Sequence, residues 1–503
     1  MKKTLAFLLA IIMLLSVAAC GQKDGNSSNT DLISSETILT SGTISLTESE
    51  ISSMTQSNVT STENPTSSDI VSNHNSSTSS TTIPESEKFL YEPDTITLSL
   101  CTNNSYGVTW QTSNAPITPV VQVSKGSSFN ESNCTEYTAT YRQYSSYEYP
   151  DDISFWYYVV KAEITGLVAG QTYTYRCYDK GAQVGSYSYT FTALDSSKTD
   201  FKFVHVSDSQ VDFSYDGNLG KPFNNTLKGI DANGFNPSFI LHTGDMVEWS
   251  KYETSWSQLI NYNEDYFTSI PFAVISGNHE ASYRNGKFET FKHFNYKFTE
   301  QDVTKGIYYS FDYGNARFIM LDTNTLSGNK LPDAQYNWLV SLLKNNTQKW
   351  TIVSMHNPMY SVGKYGSDST RNGIALALRE QLGDIFAEYG VDLVLQGHDH
   401  EYSKTYPIGI GGIPNKNLSY ETIDGIKYVT NANGVTYIMN GPAGNQSRTP
   451  VNKFDSNLYE FVGDSSLESS WAEIHIKDNL LSVEVYSYNN GSPKLWKSYG
   501  LKK

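Results

Sequence analysis

The sequence predicts a layered α/β domain preceded by an all-β sandwich. In residues 91–193, short strand-like runs alternate apolar and polar side chains, turn residues separate the runs, and no helical period appears. From residue 200 onward, apolar runs of strand length alternate with amphipathic helical segments, a pattern typical of layered α/β folds. The chain has 503 residues, which is enough for about two or three domains.

The first twenty residues have the pattern of an export signal. Lys2 and Lys3 precede an apolar run at residues 5–17, which is too short to span a membrane, and small residues then lead to Cys20. This ending resembles a bacterial lipoprotein signal at residues 1–20, and the resemblance implies that cleavage before Cys20 makes a lipidated Cys20 the new N-terminus. The alternative is an ordinary secretory signal. Both interpretations predict an exported protein, and the first predicts a lipid anchor on the extracytoplasmic face of the cell membrane.

Residues 21–88 are predicted to be a disordered linker. Nearly half of them are Ser or Thr, so the segment has too little apolar surface to offset the entropy lost on ordering. We interpret the segment as a tether that holds the folded part away from the membrane. The alternative is a pro-segment, which would not fold either.

Residues 89–194 form the predicted sandwich, of the immunoglobulin and fibronectin type. Gly166 and the following residues 170–175 resemble the E–F corner of a fibronectin type III domain, and Trp110 is predicted to fill the core. The predicted strands are residues 95–100, 107–110, 119–123, 157–164, 172–177 and 187–191.

Residues 195–503 form the predicted α/β domain. Residues 332–345 are predicted to be a helix with Pro332 near its first turn, and residues 373–389 a second helix that ends at Gly390. The predicted strands are residues 201–206, 238–242, 272–275, 317–321, 350–354, 391–395, 436–439, 471–476 and 481–488.

Polar side chains follow the apolar runs of this domain at the points where the predicted strands end. These residues are Asp208, Asp245, Asn278, His356 and His398. Ligands of α/β sheets gather outside the carboxyl ends of the strands, so we expect these side chains to converge. Gly-His-Asp-His is the most specific of these motifs. It begins with Gly397, which lets the backbone approach closely. Carboxylate, amide and imidazole groups together suit two adjacent metal ions.

In this order the motifs resemble those of the calcineurin-like metallophosphoesterases. With the preceding sandwich, the chain is similar to bacterial relatives of the purple acid phosphatases. The resemblance implies a dinuclear metal centre, with His279 facing the substrate and donating a proton or hydrogen bond. It implies these metal ligands: Asp245 between both metals, Asp208 and His400 at the first, and Asn278, His356 and His398 at the second.

The sequence departs from the family pattern at two positions. The general family places His two residues after the first Asp, where this chain has Gln210; purple acid phosphatases place Tyr three residues after the bridging Asp, where it has Glu248. Either residue could ligate through oxygen or lie behind the ligands, and both possibilities stay open for Gln210.

Three further residues are predicted to support the site. Glu280 and Asp399 adjoin predicted ligands and are expected to orient the imidazoles. Relatives carry additional histidines after the fourth motif, and this chain has none there. Arg371 is therefore a candidate contact for the anionic substrate, with Lys364 and Tyr365 as alternatives.

The predicted function is hydrolysis of phosphate esters by a metal-activated hydroxide, in the manner of an acid phosphatase acting on monoesters. The alternatives are a phosphodiesterase or nucleotidase, which would use the same centre, and a non-catalytic cell-surface binding protein. The cofactors are two divalent or mixed-valence metal ions, and Fe, Zn and Mn all suit the ligands.

Composition limits the partners. A formal net charge of −16 repels polyphosphate backbones, so we expect a small phosphorylated substrate and no nucleic-acid polymer. Cys101, Cys134 and Cys177 occur in the sandwich region, and the sequence leaves open whether two of them form a disulfide or all three are buried thiols.

Replacing the predicted lipidation site tests the anchor. We expect Cys20→Ser to move the protein from the membrane fraction to the medium, because one thiol carries the attachment. Fractionation with metabolic labelling by a fatty acid measures this. The lipoprotein interpretation would be contradicted if both proteins stayed equally in the membrane fraction and the unsubstituted protein took up no fatty-acid label.

Overall fold

The computed structural model describes residues 83–102, 105–148, 153–212, 220–282, 289–295, 308–366, 373–463, 469–489 and 491–503. The predicted signal, Cys20, most of the predicted linker and Arg371 lie outside the described residues, as does the side chain of Cys101. Cys134 and Cys177 are free thiols.

The described strands belong to the sandwich and to the α/β domain. The sandwich contains β1 (Asp94–Thr102), β2 (Ser105–Thr112), β3 (Pro119–Lys125), β4 (Cys134–Thr138), β5 (Thr140–Glu148), β6 (Ile153–Ile164), β7 (Thr172–Asp179), β8 (Val184–Gly185) and β9 (Tyr189–Thr192). The α/β domain begins with β10 (Asp200–Val206), β11 (Ile240–His242), β12 (Phe272–Val274), β13 (Tyr309–Tyr313), β14 (Ala316–Met320), β15 (Trp350–Met355) and β16 (Leu393–Gln396). It continues with β17 (Tyr402–Thr405), β18 (Tyr420–Ile423), β19 (Ile426–Val429), β20 (Thr436–Asn440), β21 (Tyr459–Val462), β22 (Ser470–Lys477), β23 (Leu480–Asn489) and β24 (Ser492–Lys502).

The described helices surround the sheets of the α/β domain. They are α1 (Lys221–Ala232), α2 (Glu253–Tyr262), α3 (Glu264–Phe267), α4 (Asn278–Ser282), α5 (Glu289–His293), α6 (Asp333–Lys344) and α7 (Ile374–Glu388). Short 3-10 helices occur at Glu85–Tyr91, Glu131–Asn133, Ile410–Gly412 and Ser456–Leu458. Among the described residues, no helix is both long and apolar enough to cross a membrane.

The predicted fold class is confirmed. Strands β3, β4, β7, β8 and β9 make one layer of the sandwich, and β1, β2, β5 and β6 make the other. Trp110 is buried in the hydrophobic core, as predicted. Strand β5 did not stand out in the sequence because its residues TYRQYSSYE are largely polar, which suits its position at the edge of a sheet.

One sheet runs from the sandwich into the α/β domain. Strand β1 pairs in parallel with β12 through Ser99 and Phe272. Within the described residues, the resulting sheet has the order β18-β19-β24-β23-β22-β10-β11-β12-β1-β2-β6-β5. The same hydrophobic cluster contains Trp110 of the sandwich and Phe203 of the α/β domain. The sandwich therefore supports the α/β domain through a shared sheet and a shared core.

A second sheet completes the α/β layers. Its order within the described residues is β13-β14-β15-β16-β20-β17-β21, and β14, β15, β16 and β20 are parallel. Phe203 from the first sheet and Phe318 from the second pack edge to face, with ring centroids 5.1 Å apart. Between the two sheets, the carboxyl ends of β10–β12 and of β15 and β16 are brought to the same region.

Helices α6 and α7 form where the sequence predicts them. Helix α6 begins directly after Pro332, and α7 is followed by Gly390, whose φ of 69° ends the helix. Helix α1 was not predicted, although Phe223, Leu227 and Ile230 are buried along one face. Its Pro, Asn and Gly residues lower the intrinsic helix propensity, and tertiary packing compensates.

A buried polar cluster joins the sandwich to helix α2. Gln111 Nε2 donates to Glu253 Oε1 at 2.7 Å, and His293 Nε2 lies 3.5 Å from the same oxygen. Nearby, Lys161 Nζ donates to the carbonyl of Phe294 at 2.8 Å. Burial raises the pKa of Glu253 from 4.5 to about 7, so folding favours its neutral form.

This raised pKa makes stability depend on pH. Because the folded state holds the Glu253 proton more tightly than the unfolded state, the free energy of unfolding should fall as pH rises from about 5 to about 8. Glu253→Gln keeps the shape without the charge, and should remove up to about 3 kcal/mol of that fall. Urea unfolding at several pH values measures it. The exposed Glu380→Gln is the control, and identical pH slopes in all three proteins would contradict the prediction.

Candidate metal centre

The predicted ligands converge into two buried groups. One group is Asp245, His356 and His398, and the other is Asp208, Asp245 and His400. In each group the potential ligand atoms lie within 4.8 Å of one another. Asp245 belongs to both groups, which is the position a carboxylate must occupy to bridge two cations.

The loops after the strands adopt strained conformations to bring these side chains together. The residues with φ in the left-handed region are Asp208 (53°), Gln210 (36°), Asp245 (53°), His398 (82°) and His400 (58°). Such conformations are unfavourable for residues other than glycine and cluster at functional sites. The surrounding hydrogen bonds and packing must therefore stabilise them.

Two glycines allow the ligand loops to touch. A Cβ atom at Gly277 would lie 2.0 Å from Asp245 Oδ1. A Cβ atom at Gly397 would lie 2.3 Å from Ser207 Oγ and 3.1 Å from both Asp208 Oδ2 and His356 Nδ1. The glycine of the Gly-His-Asp-His motif is thus required by close approach.

The first group presents one imidazole nitrogen that makes no hydrogen bond among the described residues. His400 Nδ1–H donates to the carbonyl of Gln446 at 2.6 Å, so Nε2 faces Asp208, 3.3 Å from Oδ1. Within the described residues, this buried Nε2 makes no hydrogen bond. Burial alone would raise the pKa of Asp208. The nearby His400 and His356 lower it by more, so the pKa lies well below its usual range. These groups fit a bound cation.

The second group is arranged around His356. Its Nδ1–H donates to the carbonyl of Thr243 at 2.8 Å, which turns Nε2 towards Asn278 Oδ1 (3.0 Å) and Asp245 Oδ2 (3.3 Å). Burial lowers the pKa of His356, but Asp245 and Asp208 more than offset this and raise it to about 9. Burial lowers the pKa of His398 to about 3, which keeps that imidazole neutral, as a metal ligand must be.

Comparison with known families agrees with this geometry. Residues 201–402 match the family model "Calcineurin-like phosphoesterase", and residues 93–193 match "Purple acid Phosphatase, N-terminal domain". The chain therefore carries a calcineurin-like phosphoesterase domain behind a purple acid phosphatase N-terminal domain. These matches confirm the resemblance to the calcineurin-like metallophosphoesterases and to the purple acid phosphatases, and they support the predicted enzyme class of metal-dependent phosphoester hydrolases. The lipoprotein resemblance of residues 1–20 stays a prediction.

Individual relatives are moderately similar. The chain is 28% identical to acid phosphatase type 7 of Homo sapiens over 318 residues, which is 59% of this chain and 67% of that protein. It is 25% identical to purple acid phosphatase 15 of Arabidopsis thaliana over 321 residues, 58% of this chain and 54% of that protein. The matched region thus spans about half to two thirds of these curated relatives.

A solved structure shows the same fold. The purple acid phosphatase from yellow lupin (Lupinus luteus) seeds superposes with a TM-score of 0.64 at 20% identity, covering 82% of this chain and 74% of that chain.

Around the phosphoesterase ligands, Glu280 and Asp399 act on the main chain. Glu280 accepts the N–H groups of Gly277 (2.6 Å), Asp245 (2.9 Å) and Met246 (2.8 Å). Among the described contacts, this carboxylate fixes two ligand loops directly, and its predicted role of orienting an imidazole stays a prediction. The N–H of Val247 donates to the same carboxylate at 3.3 Å, so Glu280 accepts four main-chain N–H groups.

Asp399 fixes the loop after β15. It accepts the N–H groups of Tyr365 at 3.0 Å and Gly366 at 2.9 Å, and the hydroxyl of Ser361. These contacts are to the main chain and to a hydroxyl, and the predicted role of Asp399 in orienting an imidazole stays a prediction. In this loop, the centroid of the Tyr365 ring lies 4.3 Å from the centroid of the His398 ring.

Gln210 and Glu248 occupy different environments. Gln210 is 2% exposed, and its Oε1 makes no hydrogen bond within the described residues. Its N–H donates to the carbonyl of Asp245 at 2.9 Å. Glu248 belongs to neither ligand group; its Oε1 lies 3.6 Å from His279 Nδ1. The structure thus places Glu248 beside the predicted acid, and leaves a buried acceptor free on Gln210.

His279 lies at the edge of the centre. Its N–H donates to Asp245 Oδ1 at 2.8 Å, its Nδ1–H donates to the carbonyl of Glu248 at 3.0 Å, and its Nε2 is 3.9 Å from Asp245 Oδ2. Burial lowers the pKa of His279, but Asp245 and Glu248 more than offset this, so the net shift is upward.

Sequence reasoning missed residues on the loop after β20 and on strand β11. Gln446 accepts from His400, and Arg448 Nη1 donates to the carbonyl of His398 at 3.4 Å. His242 links two ligand loops: Nε2–H donates to Ser209 Oγ at 3.0 Å, and Nδ1 accepts from the N–H of Gly244 at 3.1 Å. The position of Gln446 after a strand end was an available signal; His242 lies within an apolar strand and gave none.

Filling the space beside Gly397 should disrupt the centre. We expect Gly397→Ala to bind markedly less than two metal ions per chain, because its Cβ would overlap Ser207 Oγ and displace Asp208 and His356. Elemental analysis after dialysis measures the bound metal. The matched control is Gly383→Ala within α7, where a Cβ meets nothing within 4 Å. The control should keep its metal and gain about 0.5–1 kcal/mol of stability. Equal metal content in both variants would contradict the expectation.

Proposed function

We propose that this protein hydrolyses monoesters of small phosphorylated compounds at a dinuclear metal centre. The observation that carries the proposal is the shared carboxylate: Asp245 belongs both to the group with Asp208 and His400 and to the group with His356 and His398. Such a pair of adjacent sites suits the in-line displacement of an alcohol from phosphorus. The two cations, when bound, would supply charge neutralisation of the phosphoryl group and an activated water.

The residues of the chain prepare these sites. His356 and His400 each donate Nδ1–H to a main-chain carbonyl, which fixes the tautomer and leaves Nε2 as the ligand atom. Asn278 supplies a neutral oxygen beside His356. In the proposal, Asp208, Asp245 and His400 hold the first metal, and Asp245, Asn278, His356 and His398 hold the second. Fe, Zn and Mn all suit these ligands.

His279 is the proposed acid. Its Nδ1–H is committed to the carbonyl of Glu248, and the raised pKa favours the imidazolium, whose Nε2–H can be donated to the leaving oxygen. Both His279 and Glu248 are partly open to solvent, with side chains 16% and 19% exposed, so an alcohol can leave on this side. A protonated leaving group lowers the barrier because an alkoxide need not be expelled.

We also propose the cellular setting that the sequence predicts. A lipid on Cys20 and the linker at residues 21–88 would hold the sandwich and phosphoesterase domain outside the cytoplasm. The export pattern of residues 1–20 supports this proposal, and the Cys20→Ser experiment tests it.

Removing one ligand tests the enzymatic proposal. We expect Asn278→Ala and His398→Ala each to lower kcat/KM for p-nitrophenyl phosphate by at least about 100-fold, because the second site loses charge stabilisation of the transition state. Thermal unfolding of the metal-free proteins should be similar. His475→Ala, which removes an imidazole from β22, is the control.

Three outcomes would count against the proposal. Unchanged turnover in both ligand variants would overturn it. A higher kcat/KM for bis(p-nitrophenyl) phosphate than for the monoester would favour a phosphodiesterase. Less than about one metal per chain after supplementation, without turnover, would favour a non-catalytic binding protein.

A further inference from the structure

The carboxylate of Glu248 lies on the open side of the proposed acid. Its Oε1 is 3.6 Å from His279 Nδ1, and its side chain is 19% exposed. His279 Nε2 points the other way, 3.9 Å from Asp245 Oδ2. A substrate bound at the centre therefore has His279 between its leaving oxygen and the Glu248 carboxylate.

The position of this carboxylate is fixed from two sides. Gln446 Nε2 donates to Glu248 Oε2 at 3.4 Å, and the carbonyl of Gln446 accepts from His400. The main-chain carbonyl of Glu248 accepts from His279. Glu248 is thus connected to both the proposed acid and the first ligand group, and it does not belong to either ligand group.

A cation lies beside His398. Arg448 Nη1 donates to the carbonyl of His398, and the Arg448 guanidinium is exposed. The described rim therefore has a negative charge beside His279 and a positive charge beside His398. If His279 donates to the leaving oxygen, the alcohol portion of a bound monoester lies on the side of the centre that carries Glu248.

We propose that Glu248 selects the leaving group, favouring neutral or cationic alcohols over alcohols that carry an anionic group. This inference rests on the proposed function, because it requires that His279 face the leaving oxygen. The substrate class is phosphomonoesters of polyols and amino alcohols. Esters of hydroxy acids, with a carboxylate on the leaving alcohol, are the class that Glu248 disfavours.

Coulomb's law sets the expected size of the effect. A hydrogen bond to Nε2 and the width of the imidazole ring place the leaving oxygen roughly 8 Å from Glu248. If the charged group of the alcohol lies at about the same separation from Glu248, and the effective dielectric constant is about 40, one unit charge on that group changes kcat/KM by about fivefold.

Three phosphomonoesters with leaving alcohols of different charge test the proposal: phosphoethanolamine, glycerol 3-phosphate and 3-phosphoglycerate. The protein is compared with Glu248→Gln, which keeps the size and removes the charge. Glu131→Gln is the control. It changes the net charge by the same amount on the exposed surface of the sandwich, away from the centre, and should leave the ratios unchanged.

In Glu248→Gln, kcat/KM for 3-phosphoglycerate relative to that for glycerol 3-phosphate should rise about fivefold. The value for phosphoethanolamine relative to that for glycerol 3-phosphate should fall by a similar factor. If all three esters change equally, Glu248 only positions His279 and the proposal is overturned. Absence of turnover of p-nitrophenyl phosphate by the unsubstituted protein would overturn the proposed function itself. Normal turnover with both ratios unchanged within about twofold would overturn the leaving-group inference alone.

Discussion

The carboxylate of Asp245 is the constraint on which the site depends. It must face both ligand groups at once, and this requires a left-handed backbone with φ of 53°. Its N–H donates to Glu280, its carbonyl accepts from Gln210, and its Oδ1 accepts from the N–H of His279. Two other ligand loops, at residues 208–210 and 277–280, are thus fixed to one residue. Asp208 adds a second buried carboxylate, and the two carboxylates together raise the pKa of His356 to about 9, so the region favours a positive charge.

The sequence predicted the site residues that lie directly after the ends of strands. The polar residues that converge could be found because each follows an apolar run, and parallel strands of two sheets bring their carboxyl ends together. The same reasoning predicted α6 and α7 from their periodicity. It failed at β5, where a polar edge strand lacks the alternation, and at α1, where tertiary packing overrides low helix propensity.

Contacts set by loop conformation could not be predicted. Glu280 binds main-chain N–H groups and Glu248 meets Gln446, 198 residues away, and no local pattern encodes either contact. Positive φ values at Asp208 and His398 redirect the chain in a way that propensities for ordinary residues exclude. The same holds for Gln210: its buried oxygen has no hydrogen-bond partner among the described residues, and this is a property of the folded loop that its sequence neighbours do not reveal.

The pairing of β1 with β12 makes the protein a poor candidate for division into modules. Without β1, strand β12 would become the open border of the α/β sheet, with unsatisfied N–H and C=O groups next to an apolar surface. A catalytic fragment separated from the sandwich would tend to associate with other copies through that border. Transplanting the enzyme into another scaffold would therefore require carrying the sandwich along with it.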